Sequence, residues 1–217
     1  AVAAGQSIPI NGLAYTIDNT PPSSGSVSYP NGYVTTALVV VTLNKGTDLN
    51  GVAANGHVLT RTRATLSAGS CGAFISLTDV NDPPLPYNDT SVQSGYCYQY
   101  TYLVKDVAGN VATYTTPSVA RVDLAGPTGG FVDYADGPAT ADPVPITFDK
   151  GTDPTGLAAS GHKLRRSVAP LWANACGTYS AFADLVTDPT SPYNDATVTT
   201  NNCYRYEYVA LDLAGNA

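Results

Sequence analysis

This chain of 217 residues contains no methionine, one glutamate (Glu207), one tryptophan (Trp172) and two histidines (His57 and His162). Charged residues make up 12% of it, about half the usual share of a globular domain. Ten Lys and Arg stand against 17 Asp and Glu, giving a formal charge of −7 and a pI near 4.5. That balance argues against nucleic acid as a partner, because phosphates demand clustered cations. No apolar run approaches the roughly 20 residues of a membrane-spanning helix, so membrane insertion of that kind is not expected. The four cysteines come without a Cys-x-x-Cys pair or a His-rich companion, which speaks against zinc. Gly-x-Ser-x-Gly elbow, P-loop and dinucleotide fingerprint are all missing, and no enzymatic activity is expected. The opening AVAAGQSIPI lacks the basic and apolar regions of a signal peptide, as in a mature exported chain.

What is present is the composition of a β protein. The chain carries 15 Tyr, 20 Gly and 16 Pro, with 43% hydrophobic residues. Aromatic and β-branched side chains suit a pleated, half-buried surface, and Gly and Pro punctuate short strands. No long 3.6-residue period competes with that reading.

The chain also repeats itself. Residues 46–61, GTDLNGVAANGHVLTR, return at 151–166 as GTDPTGLAASGHKLRR, identical at 10 of 16 positions. TIDNTPPSSG at 16–25 answers RVDLAGPTGG at 121–130, and PYNDTSV at 86–92 answers PYNDATV at 192–198. Two tandem units over 18–122 and 123–217 are expected, each of a size that suits a β-sandwich. In the first, strands are expected near 25–29, 35–43, 57–64, 73–78, 90–93, 96–105 and 111–116. In the second they are expected near 130–134, 142–148, 162–168, 179–184, 196–199 and 203–211, with no seventh. The alternation in YCYQYTYLV puts Tyr96, Tyr98, Tyr100 and Tyr102 on one face of the sixth strand. Each repeat holds one cysteine pair, Cys71 with Cys97 and Cys176 with Cys203, at separations of 26 and 27. Two disulfides within repeats follow, and with them an extracellular or cell-surface location. His57 and His162 recur at one point of the repeat, as packing residues do. Trp172 is expected to be a packing residue too, and Asn88-Asp89-Thr90 matches a glycosylation sequon.

The incoming TIDNTPPSSG segment, the Thr-Asp-x-x-Gly loop and the closing Asp-x-Ala-Gly-Asn turn resemble the bacterial Ig-like, fibronectin III-like repeats of extracellular adhesins and fibres. The likeness covers nearly the whole chain and implies two tandem Ig-like β-sandwiches. The cysteines depart from it: Ig domains bridge their second and sixth strands, whereas Cys71 and Cys176 fall between the third and fourth. In such a sandwich the second-to-third and sixth-to-seventh loops meet the incoming segment at one pole. That would gather Asp18, Asp48, Asp106 and Asn110 in the first repeat, and Asp123, Asp153, Asp212 and Asn216 in the second. Oxygen ligands without Cys or His point to calcium; the alternative is that these are turn residues only.

The two repeats end differently. After Asn110 the first continues into VATYTTPSVARV, whereas Asn216 is followed by Ala217. Residues 1–17, AVAAGQSIPINGLAYTI, stand ahead of Asp18 as a seventh strand stands ahead of Asp123. Ile8, Ile10, Leu13, Tyr15 and Ile17 are their apolar positions, with Asn11-Gly12 as a bulge. The expectation is donor-strand complementation, the head of one molecule completing the tail of the next in a head-to-tail homopolymer. A covalent array of repeats would give the same local structure. On this reading the protein is a structural subunit of an extracellular filament. The runner-up is an adhesin segment for a carbohydrate or protein receptor on a surface, and a third is an accessory module of a secreted enzyme.

Overall fold

Alternation of side chains decides which face of each strand is covered. The computed structural model describes residues 17–140 and 142–217. The first repeat comprises β1 (Ser26–Ser28), β2 (Gly32–Val34), β3 (Val39–Asn44), β4 (Val58–Ser67), β5 (Ser70–Cys71) and β6 (Ile75–Ser76). It continues with β7 (Val80–Asn81), β8 (Tyr87–Asp89), β9 (Tyr96–Lys105), β10 (Val111–Tyr114) and β11 (Ala120–Val122). The second comprises β12 (Phe131–Asp133), β13 (Val144–Asp149), β14 (Lys163–Trp172), β15 (Ala175–Cys176), β16 (Ala183–Thr187), β17 (Tyr193–Asp195) and β18 (Asn202–Val209). No helix occurs among the described residues, and the fold is all-β.

In the first repeat one sheet runs β1-β3-β8 and the other β2-β11-β9-β4-β5, with β10 added to β9 and β6 and β7 added to β4. Val39, Val41 and Leu43, alternate residues of β3, meet Tyr98, Tyr100, Tyr102 and Val104 of β9 in one core between the layers. Leu59 from β4 and Ala120 and Val122 from β11 complete it. The second repeat reproduces the scheme with β12-β13-β17 on one side and β16-β14-β18 on the other. Its core is smaller, centred on Ile146, Phe148, Leu164 and Tyr206. Among the described residues it has no counterpart of β10 or β11. Residues 137–139, which match β2, form no strand, since the partner of β2 is β11.

Both expected bridges are present. Cys71–Cys97 ties β5 to β9 and Cys176–Cys203 ties β15 to β18. The strands expected at 90–93 and 196–199 are corrected to β8 and β17, several residues earlier. There Tyr-Asn-Asp pairs with Val39–Val41 and with Val144–Ile146, and the aspartate then turns the chain. The single strand expected at 111–116 is two strands, β10 and β11, on either side of Pro117. Both lie along β9. The histidines are structural: His57 Nε2 donates to the Ala53 carbonyl at 2.8 Å while its Nδ1 accepts the Lys105 amide at 3.2 Å. His162 repeats this with Ala158 and Leu211 at 2.9 and 3.0 Å.

Candidate functional site

The six aspartates expected to converge do so. One carboxylate oxygen from each of Asp18, Asp48 and Asp106 lies within 4.8 Å of the others, and Asp123, Asp153 and Asp212 form the same group. Turn chemistry places each of them. Asp106 Oδ1 accepts the Gly109 and Asn110 amides at 2.6 and 2.8 Å, and Asp212 Oδ1 accepts that of Asn216 at 2.9 Å. Asp48 Oδ1 accepts the Asn50 and Gly51 amides, and Asp153 Oδ1 those of Thr155 and Gly156. The Thr155 hydroxyl also donates to Asp123 and to Asp153. Thr20 donates its amide and hydroxyl to Asp18 Oδ1, which holds that carboxyl below the ordinary range. Asp18 Oδ2 is buried without a hydrogen-bond partner among the described residues. None of the six forms an ion pair among the described residues.

Asn110 and Asn216 stand beside these groups and donate to them. The Asn110 amide group donates to Asp106 Oδ2 at 2.7 Å and to the Asp18 carbonyl at 3.2 Å. Asn216 donates to Asp212 Oδ2, and to the Asp123 and Ala125 carbonyls, at 2.8, 3.2 and 3.3 Å. Each clamps the incoming segment to the Ala-Gly-Asn turn through its NH₂.

A second feature lies along β18. In the first repeat, β10 runs beside β9, with Tyr114 opposite Tyr102 and its hydroxyl donating to the Pro22 carbonyl at 2.8 Å. The Tyr114 ring lies directly over Gly25, where a β-carbon would collide with it. At the matching edge of the second repeat there is a groove of about 490 Å³ lined by Gly130, Val132, Asp149, Tyr206, Tyr208 and Ala210 among others. These correspond to Gly25, Val27, Asn44, Tyr100, Tyr102 and Val104. Tyr102 and Val104 are fully buried, whereas Tyr208 and Ala210 are half-buried. Of the expected donor residues, Ile8, Ile10, Leu13 and Tyr15 lie outside the described residues. Ile17 is 73% exposed.

Two features were not legible in the sequence. The Tyr-Asn-Asp aspartates are buried acceptors: Asp89 Oδ2 takes Arg61 at 2.8 Å and the Tyr100 hydroxyl at 3.0 Å. Asp195 Oδ2 takes Arg166 and Tyr206 in the same way, at 2.7 and 2.9 Å. The duplication of PYND was their one signal. Trp172, expected to pack, is instead 82% exposed at the end of β14. It borders the two-residue hairpin turn Ala173-Asn174.

No family model matches the chain. A curated relative is Exoglucanase B of Cellulomonas fimi, 26% identical over 140 residues, which is 61% of this chain and 11% of that protein. The chain thus resembles a small part of an exoglucanase. A match confined to so small a share carries no activity across. The two disulfides fit an oxidising, extracellular compartment. Among the described residues no helix is long and apolar enough to cross a membrane.

Proposed function

We propose that the protein is a structural building block of an extracellular filament or surface fibre, made of Ig-like repeats and lengthened head to tail by strand donation. The observation that carries this reading is the groove beside β18, which matches in place and lining the one that β10 fills in the first repeat. An open sandwich edge exposes apolar core and unpaired main-chain groups, and an incoming extended segment satisfies both. Residues 1–17 have the pattern for it. Ile17 precedes Asp18 as the fully buried Val122 precedes Asp123, and in a head-to-tail row it takes the place of Val122 on the previous copy. The contact joins two different faces, so each added copy offers a free groove or a free donor segment to the next. Calcium at Asp18, Asp48 and Asp106, and at Asp123, Asp153 and Asp212, stiffens each junction. Three carboxylates gathered without a cation repel one another, and hard oxygen donors suit that ion.

A different observation, the likeness to part of Exoglucanase B, favours a second reading: an accessory module of a secreted glucan hydrolase. Deletion of residues 1–16 separates the two. On the filament reading the intact chain sediments as polymers and the truncated chain does not. The peptide AVAAGQSIPINGLAYTI added in trans then stabilises the second repeat without restoring polymers. A truncated chain that polymerises like the intact one, or whose second repeat melts at the same temperature, rules out strand donation. An intact chain that stays monomeric points to the accessory module.

A further inference from the structure

The junction between the two repeats contains a contact that strand donation does not use. The turn joining β4 to β5 is a two-residue hairpin, Ala68-Gly69, with φ of 45° and 76°. Its tip is seated on the loop Asp153–Gly156 of the second repeat. The Ala68 amide donates to the Pro154 carbonyl at 3.2 Å and the Gly69 amide to the Thr155 carbonyl at 2.6 Å. Leu213 closes the contact from the side; a β-carbon built on Gly69 or Gly156 would stand 3.0 or 2.8 Å from its Cδ1.

Every part of this contact is present twice, but the second set is unmatched among the described residues. The hairpin joining β14 to β15 has the same register and the same left-handed turn, with Ala173 and Asn174 at φ of 48° and 66°. Its Ala173 and Asn174 amides donate to no backbone carbonyl among the described residues. Trp172 and Leu171 flank them, 82% and 38% exposed. At the opposite end of the molecule the loop Asp48–Gly51 matches Asp153–Gly156, with Leu49 in the place of Pro154 and 95% exposed. Val107, in the place of Leu213, is 68% exposed beside it. The pairs also compensate in size. Asn174 is larger than Gly69, and Val107 is shorter than Leu213.

We infer that the Leu171–Cys176 hairpin is a docking surface for a second copy of this chain, seated on that copy's Asp48–Gly51 loop as Ala68-Gly69 is seated on Asp153–Gly156. The inference rests on the head-to-tail reading and adds to it an apolar contact between Trp172 and Leu49, with backbone bonds from Ala173 to Leu49 and from Asn174 to Asn50. A lone exposed tryptophan costs little, but one bordering two amides without a partner among the described residues has the character of an interface anchor. Strand donation alone leaves a hinge between copies. This second contact, some distance from the groove, fixes the angle.

Because Trp172 is the single tryptophan, its emission reports on this surface directly. The intact chain is followed over a concentration series by sedimentation, tryptophan emission and acrylamide quenching. As polymer forms, emission is expected to move to shorter wavelength and quenching to fall, in proportion to the sedimenting fraction. Leu49→Asp, on an exposed loop, should leave the melting of the monomer unchanged and raise the concentration for half-assembly about tenfold, the effect of losing one anchor contact. Adding Trp172→Lys to Leu49→Asp should recover part of that loss. Polymers in which Trp172 remains as accessible as in the monomer overturn the docking surface while leaving strand donation intact. Absence of assembly at any concentration overturns both.

Discussion

Asp195 shows how much one duplicated turn residue can carry. It is wholly buried, yet it accepts the Thr197 amide and hydroxyl at 2.9 and 2.6 Å, Arg166 at 2.7 Å and the Tyr206 hydroxyl at 2.9 Å. Burial alone would push its carboxyl up, but the bonds from Thr197, Arg166 and Tyr206 together hold it below the usual carboxylate value. A depressed folded-state pKa contributes stability above the unfolded value of about 3.8, which is lost as pH falls through the folded one. Melting temperature should therefore hold near neutrality and drop as pH falls below about 4. Tyr206 is shifted the other way, raised by burial and by its bond to Asp195. Its contribution is complete below its ordinary value of 10.0 and declines as pH rises beyond it. Asp195→Ala leaves Arg166 and Tyr206 without their acceptor, and should cost about 3–5 kcal/mol in urea unfolding. A loss under about 1 kcal/mol would show that water replaces the carboxylate there.

Among the elements, the incoming segment of each repeat depends on one glycine. Gly151 has φ of 72°, and a methyl group on it would run into the Thr128 carbonyl oxygen. That carbonyl accepts the Thr152 amide, one half of the reciprocal 2.9 Å pair that anchors the segment. Gly151→Ala thus combines left-handed strain with a backbone clash, and is expected to cost roughly 1–3 kcal/mol in thermal unfolding. Gly46 meets Ser23 in the same way in the first repeat, and Gly46→Ala should behave alike. A thermally silent Gly151→Ala would mean that the segment is held elsewhere. The disulfides act at this scale too. Each closes a loop of 26 or 27 residues, and reduction should lower stability by about 3 kcal/mol per bridge.

For the whole molecule, one acid cluster, Asp123, Asp153 and Asp212, sits where the first repeat meets the second. The Ser94 hydroxyl of the first repeat donates to Asp123 Oδ1 at 3.3 Å, and the Leu124 amide donates to Ser94 Oγ at 2.9 Å. A cation bound there stabilises the folded state by mass action, about 2.7 kcal/mol at a hundredfold excess over Kd. Excess chelator should lower the melting temperature, and added calcium should restore it. Asp212→Asn should make the second repeat insensitive to both. A melting curve indifferent to chelator would leave the aspartates with their turn roles alone.

Read by itself, the sequence determined what depends on order along the chain. The duplication, the cysteine pairs at near-equal spacing and the alternating tyrosines of β9 follow from local periodicity and from the repeat, whereas the convergence of Asp18, Asp48 and Asp106 was implied only by the resemblance to Ig-like sandwiches. What covers a given side chain depends on neighbours distant in sequence, and that only the tertiary structure decided. Tyr102 and Tyr208 occupy the same position in matching strands; one is fully buried because β10 lies beside it, and the other borders a groove. Gly69 and Asn174 occupy the same position in matching hairpins; the amide of one donates to the Thr155 carbonyl, and that of the other donates to no backbone carbonyl among the described residues. That the amide groups of Asn110 and Asn216 reach the Asp18 and Asp123 carbonyls was likewise visible only in the fold. Repeated sequence gives repeated strands, but burial is a property of pairs of surfaces, and matching strands of the two repeats have different neighbours.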